Sequence, residues 1–100
     1  MLTVTIGELV EKDGRGFGQR VMTAELLTKA ASRMSDLGER IAYAAMRSWL
    51  PGGEKAPAKS TLRAEIQKLQ VKEAAAKAAG EWRDAAYYEV AAFCCEARVG

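Results

Sequence analysis

Residues 23–50 read TAELLTKAASRMSDLGERIAYAAMRSWL, and the fold turns on how they are read. Leu27, Ala30, Met34, Leu37, Ile41 and Ala44 recur at alternating steps of three and four, the spacing that places side chains on one face of a helix. As one element the stretch predicts a helix over 24–50, roughly 40 Å long at about 1.5 Å per residue. Ala31, Gly38 and Ala45 stand seven apart beside that seam, a stripe of small side chains that admits a second backbone at close range. That backbone can belong to the same chain or to a second copy, so monomer and homodimer both stay open. Arg33, Arg40 and Arg47, again seven apart, form a cationic ridge on the other flank. Ser35, Asp36 and Gly38 offer a place for a kink, but the unbroken seam argues for continuity. Pro51-Gly52-Gly53 ends the helix, since neither residue type continues one, and Trp49 stands at that end to close the core or anchor a partner.

Downstream, PGGEKAPAK over 51–59 has loop composition, and Ser60 can cap a helix striped by Leu62, Ile66, Leu69 and Ala76. Ala79, Trp82, Ala86, Val90 and Phe93 cluster about 120° away from that stripe on a helical projection. One straight helix through both sets would be roughly 55 Å long, against a radius of gyration of about 13 Å for a compact chain of this size. Both facts place a break at Ala79-Gly80 and predict helices over 61–79 and 81–97. Glu65, Lys68, Lys72, Glu73 and Lys77 read as a solvated mixed-charge face, with Glu73 and Lys77 spaced to pair.

Upstream, Thr5 and Glu8 have capping-box spacing, Val4 and Leu9 are placed as a hydrophobic staple, and Gly14 can close the turn, which predicts a helix over 6–13. A strand through Leu2, Val4 and Ile6, alternating with threonines, is the competing reading, and the cap signals decide for helix. In Gly14-Arg15-Gly16-Phe17-Gly18 a ring flanked by Arg15 and Arg20 either folds back onto the core or meets a base or a partner's pocket. The expected fold is all-α: a single domain over 1–100, built as a small compact bundle of about four helices (6–13, 24–50, 61–79, 81–97) with the second the longest.

Composition narrows the chemistry. The 100 residues include 19 alanines and no histidine. The missing imidazole removes the commonest general acid-base group, the usual partner of a serine or cysteine nucleophile, and the commonest nitrogen ligand of metals. Cys94 and Cys95 are adjacent on a predicted helix and point about 100° apart, so they neither pair readily nor suffice for zinc, and they read as small core residues. Of the carboxylates one helical turn apart, Glu8 with Glu11 and Asp36 with Glu39 are expected to be solvated. No metal, cofactor or catalytic group is therefore expected. No apolar run is long enough to span a membrane, the N-terminus lacks the pattern of a secretory signal, and the cytoplasm is the expected compartment. A net charge of +2 does not by itself imply nucleic acid.

The candidate partner-binding residues are then Glu8, Glu11, Asp13, Arg15, Phe17 and Arg20 around the glycine loop, with Arg33, Arg40, Arg47 and Trp49 on the long helix. As structure, the ridge arginines lay their stems along the seam and pair with nearby acids; as function, they meet phosphates or an acidic protein. The short chain without histidine, and the alanine- and arginine-rich usage of AASRMSDLGERIAYAAMRSWL, resemble in kind the small phage-encoded inhibitors of the anti-CRISPR type. That resemblance implies a non-enzymatic protein that blocks a surface of a multisubunit nucleic-acid-targeting complex. The chain departs from the DNA mimics among them, because its one acidic concentration is Glu8, Glu11 and Asp13. The alternative is a nucleic-acid-binding or nucleoid-type accessory protein that uses Arg15, Phe17, Arg20 and the ridge.

Overall fold

Two glycines set the helix ends in the computed structural model, which describes residues 2–6, 18–22, 24–36 and 38–100, with side chains from Leu27 onward except at Leu37. The first helix, α1, runs Ala24–Asp36 and closes at Gly38, whose φ of +77° is a left-handed conformation that only glycine adopts without strain. The Gly38 N–H donates to the Ser35 carbonyl and the Glu39 N–H to the Met34 carbonyl, both at 3.0 Å, so the last carbonyls of α1 are satisfied by a Schellman closure. The chain restarts as α2, Arg40–Arg47. Gly80, at φ +75°, repeats the device: its N–H donates to Lys77 at 3.0 Å and that of Glu81 to Ala76 at 2.8 Å. This separates α3, Lys59–Ala78, from α4, Trp82–Val99.

Four helices are present among the described residues, but not all fall where the sequence placed them. The predicted helices at 61–79 and 81–97 are α3 and α4, separated at the expected glycine corner. The predicted helix at 24–50 is instead two, because a left-handed closing turn outweighs a continuous apolar seam. The second helix is therefore not the longest; α3 is, with 20 residues. The helix expected over 6–13 lies outside the described residues except at Ile6. Ile6 ends a strand, β1 (Leu2–Ile6), which pairs antiparallel with β2 (Gly18–Met22) in the register Leu2 with Met22 and Val4 with Arg20. The alternation of Leu2, Val4 and Ile6 with threonines thus forms a strand, against the capping-box spacing of Thr5 and Glu8, and the ribbon is an addition to the helical bundle.

Helix α4 is the centre of the packing. It lies against α1, α2 and α3, and β1 also approaches it. Its buried Val90, Ala91, Ala92, Cys94 and Cys95 join Leu62 and Leu69 of α3, Leu27, Ala30 and Met34 of α1, and Ala42, Ala45 and Met46 of α2 in one core. The break at Gly38 resets the helical phase. In α1 the predicted Leu27, Ala30 and Met34 are buried, whereas in α2 Ala42, Ala45 and Met46 go inside and Ile41 and Ala44 are only partly covered. The small-residue stripe is broken for the same reason. Ala31 and Ala45 are buried, but Gly38 is exposed and a Cβ there would meet nothing within 4 Å, so its constraint is φ and not close packing.

Two acids are buried against expectation. Glu39, placed by the corner between α1 and α2, pairs with Lys72 and so docks that corner on α3. Glu65 stands on the core face of α3, only 5% exposed, with Oε2 lacking a hydrogen-bond partner. Its charge assigns it to a solvated face, yet it is three residues after Leu62 and four before Leu69, which is the spacing of the buried stripe. An unsatisfied buried carboxylate oxygen costs about 1–3 kcal/mol. Glu65→Leu is accordingly expected to raise the unfolding free energy by about 1–2 kcal/mol in a denaturant titration; a loss of stability would show that Glu65 is held by a contact stronger than its desolvation. The expected Glu73–Lys77 pair is present at 2.9 Å.

Candidate functional site

Helices α1 and α4 carry polar stripes that face each other across an open groove of about 410 Å³. Thr28, Ser32 and Asp36, each four residues from the next, line the α1 wall together with Lys29 and Arg33, and Arg83 and Tyr87 line the α4 wall. Four-residue steps on a helix keep side chains on one face, so both walls follow from local sequence spacing. Burial of Leu27, Ala30, Ala31 and Met34 turns the opposite side of α1 outward, and burial of Ala85 does the same for the start of α4.

Arg33 is oriented across this groove. Its Nε donates to Asp84 Oδ1 at 2.9 Å and its Nη2 to the same oxygen at 2.6 Å. That hydrogen bond and the nearby carboxylate charge raise the Arg33 pKa further above its ordinary value, so the guanidinium is cationic at any accessible pH. The arginine side chain remains 43% accessible while Asp84 is 19% accessible. Solvent screens a pair this accessible, so its main consequence is the fixed direction of the arginine head. Tyr88 beside the pair has its pKa raised, first by desolvation and then by the Asp84 charge.

The three ridge arginines do not form one ridge. The break at Gly38 puts Arg33 on α1, and Arg40 and Arg47 on α2. Trp49 is half buried, with its indole N–H enclosed and without a partner. The Arg98 guanidinium lies 3.8 Å from the centre of its ring. Arg98 also donates from Nε to Ser48 Oγ at 3.1 Å and from Nη2 to the Ser48 carbonyl at 2.8 Å, so this cluster pins the end of α4 to the end of α2. Glu8, Glu11, Asp13, Arg15 and Phe17 lie outside the described residues. Arg20 is in β2, opposite Val4, and its side chain is outside them as well.

Sequence reading did not single out Arg83, Asp84 or Tyr87. Arg83 and Tyr87 are spaced one turn apart, as are Lys29 and Arg33, but the signal that joins the two stripes is a tertiary contact some fifty residues apart, which no local spacing carries.

The two thiols are sealed in the core. Burial pushes Cys94 and Cys95 from 9.0 up to about 12, with the neighbouring Cys95 adding to the shift of Cys94 and the Glu65 charge adding to that of Cys95. A thiol whose folded pKa is raised stabilises the fold fully below its unfolded pKa and loses that contribution as pH rises through the folded value. Stability is therefore expected to fall between pH 9.0 and about 12. A disulfide-exchange reagent at pH 8 is expected to leave both thiols unmodified in the native protein and to titrate both after denaturation; rapid labelling of the native chain would contradict this burial. Among the described residues no group of histidine, cysteine, aspartate or glutamate side chains could hold a metal ion, and no helix is long and apolar enough to cross a membrane. No family model matches the chain, and no curated protein or solved structure matches it.

Proposed function

We propose that this protein is a non-enzymatic binding module that works by occupying an acidic surface of a protein partner through the α1/α4 groove. The observation that carries the reading is the groove itself: two arginines from different helices share one open surface, and one of them is held in direction by Asp84. Pre-oriented guanidinium groups lose little side-chain freedom on binding and meet anionic groups of a partner with charge-assisted hydrogen bonds. Complementary charge of this kind accelerates encounter and excludes partners of the wrong sign. The most concrete form of the proposal is a small phage- or prophage-encoded inhibitor, similar in kind to anti-CRISPR proteins, that covers a surface of a multisubunit nucleic-acid-targeting complex.

A second reading, a nucleic-acid-binding accessory protein, draws on the aromatic ring of Tyr87 beside Arg83 and Arg33 in the same groove. A tagged pull-down from a bacterial lysate, with and without nuclease, separates the two. A stoichiometric protein that survives nuclease treatment supports the binding module. Loss of all captured material with the nucleic acid, together with affinity that falls steeply between low and moderate salt, supports the second reading.

A further inference from the structure

We infer that the α1/α4 groove is a binding site for a single phosphate monoester dianion. The inference rests on the proposed function only in taking this groove as the working surface. Donor-bearing residues line it from two helices: Thr28, Ser32 and Arg33 from α1, and Arg83 and Tyr87 from α4. A planar carboxylate is matched by one guanidinium fork, whereas a tetrahedral oxyanion accepts hydrogen bonds from several directions at once, which is what two opposed walls provide. Asp84 is a positioning residue. It takes the Nε and Nη2 hydrogens of Arg33 and leaves Nη1 uncommitted to it. A volume of about 410 Å³ is the size of a small-ligand site. Asp36 lines the same groove and offsets part of its positive charge, so the cationic surface is local and does not extend into the long basic track that a row of backbone phosphates requires.

A phosphate monoester has two sources, a phosphorylated side chain on a protein partner or a small nucleotide, and both present the same dianion. The test is a two-dimensional amide NMR titration of the full chain at pH 7.5, with N-acetyl-phosphoserine amide, adenosine monophosphate and inorganic phosphate as probes and acetate at matched ionic strength as the control. Saturable shifts at Ser32, Arg33, Arg83 and Tyr87 with the phosphate probes and not with acetate are expected, and tighter binding of one monoester assigns the source. Arg83→Ala, at an exposed position, is expected to weaken binding about tenfold while leaving the fold intact. Shifts that never saturate, that acetate reproduces, or that persist unchanged in Arg83→Ala overturn the inference. Its failure is separable from that of the binding-module reading: phosphate binding without any effect of groove charge on partner capture defeats that reading alone, and capture that depends on the groove without phosphate binding defeats this inference alone.

Discussion

Gly53→Ala is expected to lower the unfolding free energy by about 2–4 kcal/mol, a melting temperature lower by about 10–25 °C for a domain of this size. The reason is space. A Cβ built on Gly53 lies 1.8 Å from the Arg47 carbonyl oxygen and 2.8 Å from that of Leu50, and both obstacles are backbone. Neither can swing aside as the end of a long side chain would. The two carbonyls are also engaged, that of Arg47 by the Leu50 N–H at 3.1 Å and that of Leu50 by the Gly53 N–H at 2.9 Å. Making room means opening the turn after α2, and Leu50, a core residue, and Trp49, stacked under Arg98, sit in that turn. The position looks like linker in the sequence, within a Pro-Gly-Gly run, so a melt of Gly53→Ala within about 1 °C of the parent would contradict the tight turn.

Leu69→Ala is the second large effect, an expected loss of about 2–5 kcal/mol in a denaturant titration. Leu69 is fully buried on α3 within the core that α4 organises. Truncation removes the transfer energy of the side chain and leaves a cavity that a bundle pinned at both ends by tight turns does not readily collapse. Against a total stability of about 5–15 kcal/mol, the variant would sit at the edge of folding. Val71, two residues further, is 70% exposed, and Val71→Ala is expected to change stability by no more than about 0.5 kcal/mol. A similar cost at both positions would mean that the α3 face has been assigned wrongly.

These two positions also show what the residues alone disclose. The core face of α3, the corner at Gly80 and the buried cysteines were legible because each is a local matter of period or of a residue type that cannot continue a helix. The break at Gly38 was visible as a glycine among cap-forming residues, but a seam that happened to stay in register across it argued the other way. Period is a statement about positions, and only the backbone says whether the helix between them exists. Glu65 was misplaced because charge was weighed over spacing, although its place between Leu62 and Leu69 marks it for the core. The groove was half legible. Arg33 is marked by its seven-residue spacing, while Asp84 and Arg83 could be joined to it only by the packing of α4 on α1.

The central claim is that the α1/α4 groove is the surface that takes a partner. The most direct test compares nuclease-treated pull-downs by the parent chain and by Arg83→Glu, with equal melting temperatures confirmed beforehand. Arg83 is exposed, so reversal of its charge is expected to leave the fold unchanged and to abolish capture of the stoichiometric partner through like-charge repulsion. Capture of the same partner by Arg83→Glu in equal amount would contradict the account and move the site away from this groove.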